Sequence, residues 1–140
     1  MTDKNALAKA TAEAMWKDDR ASKWLGMKLE EVRSGYARMS MRVSEHMVNG
    51  HALCHGGFIF TLADSTFAFA CNSHNQRAVA SGCAIDFLAP AMLGDVLTAE
   101  GVEQALAGRT GVYDMRVTNQ KGVTIALFRG RSATIKGTLT

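Results

Sequence analysis

Asn49–Ser73, NGHALCHGGFIFTLADSTFAFACNS, is the stretch on which the fold turns. Between Glu45 and Arg77 the one side chain with a fixed charge is Asp64. Phe58, Ile59, Phe60, Leu62, Ala63, Phe67, Ala68, Phe69 and Ala70 lie around it. They fall on every side at a 3.6-residue period, which predicts a helix buried all round. A carboxylate there is costly unless it is hydrogen-bonded or faces a cavity, and desolvation raises its pKa towards neutral pH. Asp64 is therefore a candidate site residue, with a buried structural carboxylate as the alternative.

His55-Gly56-Gly57 opens this helix. Glycine admits close approach to the main chain. The first N–H groups of a helix have no internal acceptor and sit at the positive end of its dipole. They suit a carbonyl to be polarised and the oxyanion formed when it is attacked. The plainer readings are close packing for Gly56 and Gly57, and a satisfied core histidine for His55. Asp64 lies about 12 Å beyond Gly56 along the axis, at 1.5 Å per residue. A base must come within about 3 Å of its target, or reach it through one water. One helix cannot serve a single carbonyl with both groups. Two antiparallel copies would, with Gly56 of one chain facing Asp64 of the other, so a dimer with two interfacial sites is expected.

With 140 residues the chain is expected to form one domain, 1–140, with a sizeable core. The net charge of +3 is spread over scattered basic residues, which argues against nucleic acid as the partner and leaves room for a small anionic ligand. Cys54, Cys71 and Cys83 are odd in number and widely spaced, as in a reduced intracellular protein. The polar start Met1–Asn5 lacks the apolar core of a signal peptide, and the central apolar run is too short to span a membrane. A cytoplasmic protein is expected.

Outward from the central helix, Ala6–Asp19 reads as an N-terminal amphipathic helix with Leu7, Ala10, Ala14, Met15 and Trp16, followed by a turn at Lys23–Gly26. From Met27 to Val43 the period becomes two. Ala37, Met39, Met41 and Val43 alternate with polar residues after a hairpin turn at Ser34-Gly35. Four strand-like segments follow: Val79–Leu88, Val96–Val102, Val112–Thr118 and Val123–Ile135. The first would place Val79, Ser81, Cys83, Ile85 and Phe87 on one face. In the last, both faces are apolar around Arg129-Gly130-Arg131 and inside is not separable from outside. Short turns between consecutive strands predict an antiparallel sheet, and one buried helix against it an α+β architecture.

His51, Cys54 and His55 do not complete a tetrahedral set, so no metal is expected. The chain has no Gly-x-Ser-x-Gly elbow, no phosphate-cradling glycine loop and no dinucleotide fingerprint, and no cofactor is expected.

Asn49-Gly50-His51, Cys54-His55-Gly56-Gly57 and Leu62-Ala63-Asp64 resemble the signature of hotdog-fold acyl-CoA thioesterases, closest to the phenylacetate-degradation branch. Ala68–Ser73, Ala84–Leu88, Thr110–Asp114 and Ala126–Gly130 carry the likeness along the chain. The resemblance implies a long central helix wrapped by an antiparallel sheet, in dimers that pair into tetramers. Carried over by position, Asp64 is the base or nucleophile, and the Gly56 N–H polarises the thioester carbonyl. Asn49 and His55 orient substrate or water, and Gly57 lies beside them. The substrate implied is an aryl-acetyl-CoA. Relatives carry a Ser or Thr on the strand after the helix; here that position is Ala80, with Ser81 one step along. Arg109, Arg129 and Arg131 are the basic candidates for the CoA phosphates. Two other classes are a dehydratase or hydratase of the same fold, using a His and a carboxylate, and a non-catalytic acyl-CoA-binding module.

Overall fold

The computed structural model describes residues 3–140. Helix α1 spans Lys4–Asp18 and starts where the Asp3 side chain accepts the Asn5 N–H at 2.9 Å. Its buried positions are Ala8, Thr11 and Ala12, with Met15 and Trp16 half-buried; Ala10, expected on this face, is exposed. Small residues let α1 lie close on the core, and the Thr11 hydroxyl is satisfied by the Leu7 carbonyl at 2.9 Å. A second helix, α2 (Arg20–Trp24), takes up the first half of the expected turn. Asp19 starts it by accepting both the N–H and the hydroxyl of Ser22, at 3.0 and 2.7 Å. The turn itself comes at Leu25-Gly26, where Gly26 has a φ of 74°.

Strands β1 (Lys28–Arg33) and β2 (Tyr36–Arg42) form the expected hairpin about Ser34-Gly35. Ala37, Met39 and Met41 point inward, as does Val43 just beyond the strand, and all are at most 1% exposed. A single 3₁₀ turn, Glu45–Met47, and a loop lead to α3 (Gly56–Cys71). Ile59, Leu62, Ala63, Thr66, Phe67, Phe69, Ala70 and Cys71 of α3 are buried. Gly57 is exposed, and Phe60, Thr61, Asp64, Ser65 and Ala68 are only half-buried. The helix is therefore not buried all round in the single chain. The sheet covers part of its circumference and leaves one stripe open, with Asp64 at the middle of that stripe.

Asn72 ends α3. Its side-chain nitrogen donates to the carbonyls of Ala68 (2.9 Å) and Ala78 (3.2 Å), and its oxygen accepts the Ala78 N–H (2.9 Å). This one side chain closes the helix and starts the next strand. Asn72→Ala is expected to destabilise the fold by about 2 kcal/mol, since it strands the buried Ala78 N–H. Urea unfolding followed by circular dichroism checks this, and a loss below about 0.5 kcal/mol would refute it.

The remaining strands are β3 (Ala78–Phe87), β4 (Val96–Ala107), β5 (Thr110–Thr118) and β6 (Thr124–Thr134). The six form one antiparallel sheet in the order β1-β2-β4-β5-β6-β3, with α3 packed along it. This is the α+β hotdog architecture that the resemblance implies. Strand β4 runs five residues past its expected end because a bulge between Glu103 and Ala105 breaks the alternation there. In β6 the ambiguity resolves at Gly130, which faces inward. A Cβ there would meet three Phe67 ring carbons at 2.8 Å, so the ring fills the place of a side chain. Arg129 and Arg131 accordingly face outward. The Phe67 ring packs on Tyr113 and Phe128, with centroids 5.6 and 5.8 Å away.

In β3 a bulge between Ala80 and Gly82 makes Ser81 the extra residue. Partners across the ladder share a face. Ala80 opposite buried Ser132, Cys83 opposite Gly130, Ile85 opposite Phe128 and Phe87 opposite Ala126 are the inner set. Val79 pairs with Ala133 and faces outward. The single face expected from Val79 to Phe87 is thus broken by the bulge, which no periodicity count registers.

Candidate active site

The loop into α3 is built by Asn49. Its side-chain oxygen accepts the N–H groups of His51 (2.9 Å) and Leu53 (3.2 Å). Asn119 does the same for Lys121 and Val123 in the β5–β6 turn, so the motif is in part a turn-building device. What Asn49 has left to offer a ligand is its amide nitrogen.

His55 is exposed and caps α3, its Nδ1 accepting the Gly57 N–H at 3.0 Å. That bond requires an unprotonated Nδ1 and leaves Nε2–H free to donate. The core-histidine reading therefore fails. The His55 carbonyl takes the Phe58 N–H at 3.0 Å. Of the first three N–H groups of the helix, Gly57 and Phe58 are thus occupied, and the Gly56 N–H has no acceptor among the described residues. It opens on a cleft of about 430 Å³ lined by Asn49, Leu53, Ile59, Phe87, Leu88 and Ala91 among others. One unpaired donor at the positive end of a helix, in a mainly apolar cleft, is a place for a developing oxyanion.

Asp64 is not in that cleft. Two helical turns further along, its carboxylate is half-buried with no hydrogen bond among the described residues, and burial pushes its pKa up. The Asp64 charge also pushes up the thiols of Cys83 and Cys71, the latter to about 12, with burial the main cause in both. By register Cys83 lies on the inner face of β3, and it is exposed in the single chain. The sequence pattern groups it with Ile85 and Phe87 on one face, as the register does, and gives it no part in the site.

Ser81 accepts from the Arg131 Nε at 3.2 Å and donates to the Arg131 carbonyl at 3.1 Å. The bulge thus sets Ser81 beside an outward arginine, while Ala80 and Cys83 face α3. Arg129 forms a two-pronged ion pair with Asp114, both bonds 2.7 Å, on the outer face. Arg109 stands in the β4–β5 turn, and of the three arginines it alone has a guanidinium with no partner among the described residues. One chain brings Gly56, Asn49 and His55 together and keeps Asp64, Ser81 and the arginines apart from them.

Residues 51–126, more than half of the chain, match the thioesterase superfamily. The chain belongs to that family. By that membership, and by the relatives described next, it is a thioester hydrolase. It is 48% identical over 129 residues to the acyl-coenzyme A thioesterase PaaI of Escherichia coli (strain K12), covering 92% of each chain. It superposes on the structure of the E. coli PaaI protein from the phenylacetic acid degradation operon with a TM-score of 0.94 at 46% identity, covering 96% of this chain and 97% of that one. A variant of the phenylacetic acid degradation protein PaaI from Thermus thermophilus aligns with a TM-score of 0.80 at 34% identity, over 84% of this thioesterase and 100% of that chain.

Proposed function

We propose that the whole chain acts as one acyl-CoA thioesterase domain that hydrolyses aryl-acetyl-CoA thioesters, of the hydroxyphenylacetyl kind, to free acid and CoA. The observation that carries this is the pairing of a free Gly56 N–H in an apolar cleft with an unpaired Asp64 carboxylate on an open helical stripe. The thioester carbonyl accepts from the Gly56 N–H, which stabilises the oxyanion as the carbonyl carbon becomes tetrahedral. Asn49 and the His55 Nε2–H hold the acyl group or the water. The ionised Asp64 of the partner subunit either takes a proton from that water or attacks the carbon itself. Collapse of the intermediate expels the CoA thiolate; it leaves the free acid in the first case, and in the second an Asp64 anhydride that water then cleaves to free acid and carboxylate. The names of the E. coli and T. thermophilus relatives support the substrate class.

Two features support a homodimer with its sites across the interface. The first is the length of helix between Gly56 and Asp64. The second is β3, an edge strand of ten residues whose outer backbone groups are unpaired in the sheet. Such an edge invites a second copy of itself. The dimer of dimers that the resemblance implies would be read in the same mass measurement by sedimentation.

Complementation tests the shared site. Gly56→Pro removes the N–H and suits the backbone of the first helical position, although its Cβ, 3.0 Å from the Phe87 Cζ, also shifts that ring; His55, with φ −62° and ψ 134°, already has the conformation that precedes proline. Asp64→Ala and Gly56→Pro are each expected to be nearly inactive. Co-refolded in equal amounts, about half the dimers are mixed and carry one intact site each, returning about a quarter of wild-type thiol release. No recovery in a mixture shown to contain mixed dimers would mean that each chain builds its own site. A binding module would instead bind the ester and release no thiol.

A further inference from the structure

We propose that Phe87 selects the acyl group, its ring forming the wall against which the aryl ring of the thioester packs beside the Gly56 N–H. The proposal rests on the thioesterase reading above and adds a residue to which the motif assigns no role. By register Phe87 belongs to the inner face, opposite fully buried Ala126, yet it is 51% exposed. The inner aromatic rings Phe67, Tyr113 and Phe128 are at most 2% exposed. A single exposed phenylalanine needs no explanation. This one is aimed: a Cβ built on Gly56 would lie 3.0, 3.3 and 3.4 Å from its Cζ, Cε1 and Cε2. The far end of the ring therefore rests on the Gly56 α-carbon, in the cleft onto which the free N–H opens.

The position is held from behind. The N–H groups of Leu88 and Ala89 both donate to the Ile125 carbonyl, at 2.8 and 3.3 Å, so the end of β3 is clamped to β6. A carbonyl held by the Gly56 N–H extends its acyl chain along a cleft whose nearest wall is this ring. An aryl-acetyl group carries its own ring one methylene beyond the carbonyl carbon, where it meets Phe87 edge-to-face or offset. A short alkyl chain meets the same wall without the aromatic pairing. The contact also gives Gly56 a second reason to be glycine, since any side chain would displace the Phe87 ring.

The test compares phenylacetyl-CoA with butyryl-CoA in thiol-release assays of the intact protein. Phe87→Leu keeps an apolar wall and removes the ring; Phe87→Tyr keeps the ring. Phe87→Leu is expected to lower the phenylacetyl-to-butyryl ratio of kcat/KM about five- to tenfold, mainly through the KM of the phenylacetyl ester. Phe87→Tyr should restore the ratio. If Phe87→Leu slows both substrates in parallel, or changes the sedimentation mass, the residue supports the helix tip, the shared CoA portion or the subunit contact, and the proposal is overturned. If the wild type releases thiol from neither ester, the thioesterase reading falls separately. Equilibrium binding of the two esters to wild type and Phe87→Leu then reads the same ratio without turnover, and an unchanged ratio there overturns the proposal too.

Discussion

Asp64→Asn is expected to release CoA thiol about 10² to 10⁴-fold more slowly than wild type, while its stability at neutral pH rises. Both effects have one origin. The half-buried carboxyl has no hydrogen-bonding partner among the described residues, and burial pushes its pKa up. Between the ordinary carboxylate value and this raised one, the folded chain holds a proton that the unfolded chain has lost. Stability therefore falls as pH rises through that window and stays reduced above it. Asn cannot ionise, so the variant gains stability above the window and none below it. In the proposed mechanism activity needs the ionised form, so the acid limb of wild-type kcat/KM should titrate above the usual carboxylate range of about 4. Denaturant midpoints at acid and neutral pH, with a pH–rate profile, check all three. A variant both slower and less stable at neutral pH would mean that Asp64 makes a stabilising contact, as a structural carboxylate would.

Gly101→Ala is the substitution expected to harm the fold most. Gly101 lies in β4 between Ala37 of β2 and Met115 of β5. A Cβ built there would stand 1.9 Å from the Asp114 carbonyl oxygen and 2.5 Å from the Met115 sulfur. The first of these is backbone in the middle of a sheet, so the ladder itself must part. A loss of about 3 kcal/mol or more is expected. Gly50→Ala is the control: a Cβ there meets nothing within 4 Å and φ is not positive, so its stability should stay within about 0.5 kcal/mol of wild type. Guanidinium unfolding of both variants is the measurement, and equal midpoints would refute the clash.

Much of the fold was legible because it rests on local patterns. The alternation from Ala37 to Val43 reports which side of the strand is dry, and the structure agrees in full; the 3.6-residue period of Phe58–Ala70 reports a helix but, read as apolar all round, missed its open stripe. Apart from α2, which local Asp19–Ser22 bonds start, the strand readings failed where a long-range event intervened. The bulge at Ser81 turned Val79 outward, and the bulge past Glu103 hid the end of β4. At Gly130 the deciding object was a ring on another element, Phe67, which no window on the strand contains.

For the site, the division is similar. A lone carboxylate in an apolar helix, and glycines at that helix's start, are properties of the chain read locally; so is their separation, because helical rise is constant. Sequence therefore determined which groups are chemically unusual and that one helix cannot join them. Only the tertiary structure decided which N–H is free, that His55 caps the helix, and that Phe87 lies on Gly56. Each of these depends on a hydrogen bond chosen among competing acceptors or on two distant elements meeting. Such choices are made by packing, after the local preferences have been satisfied.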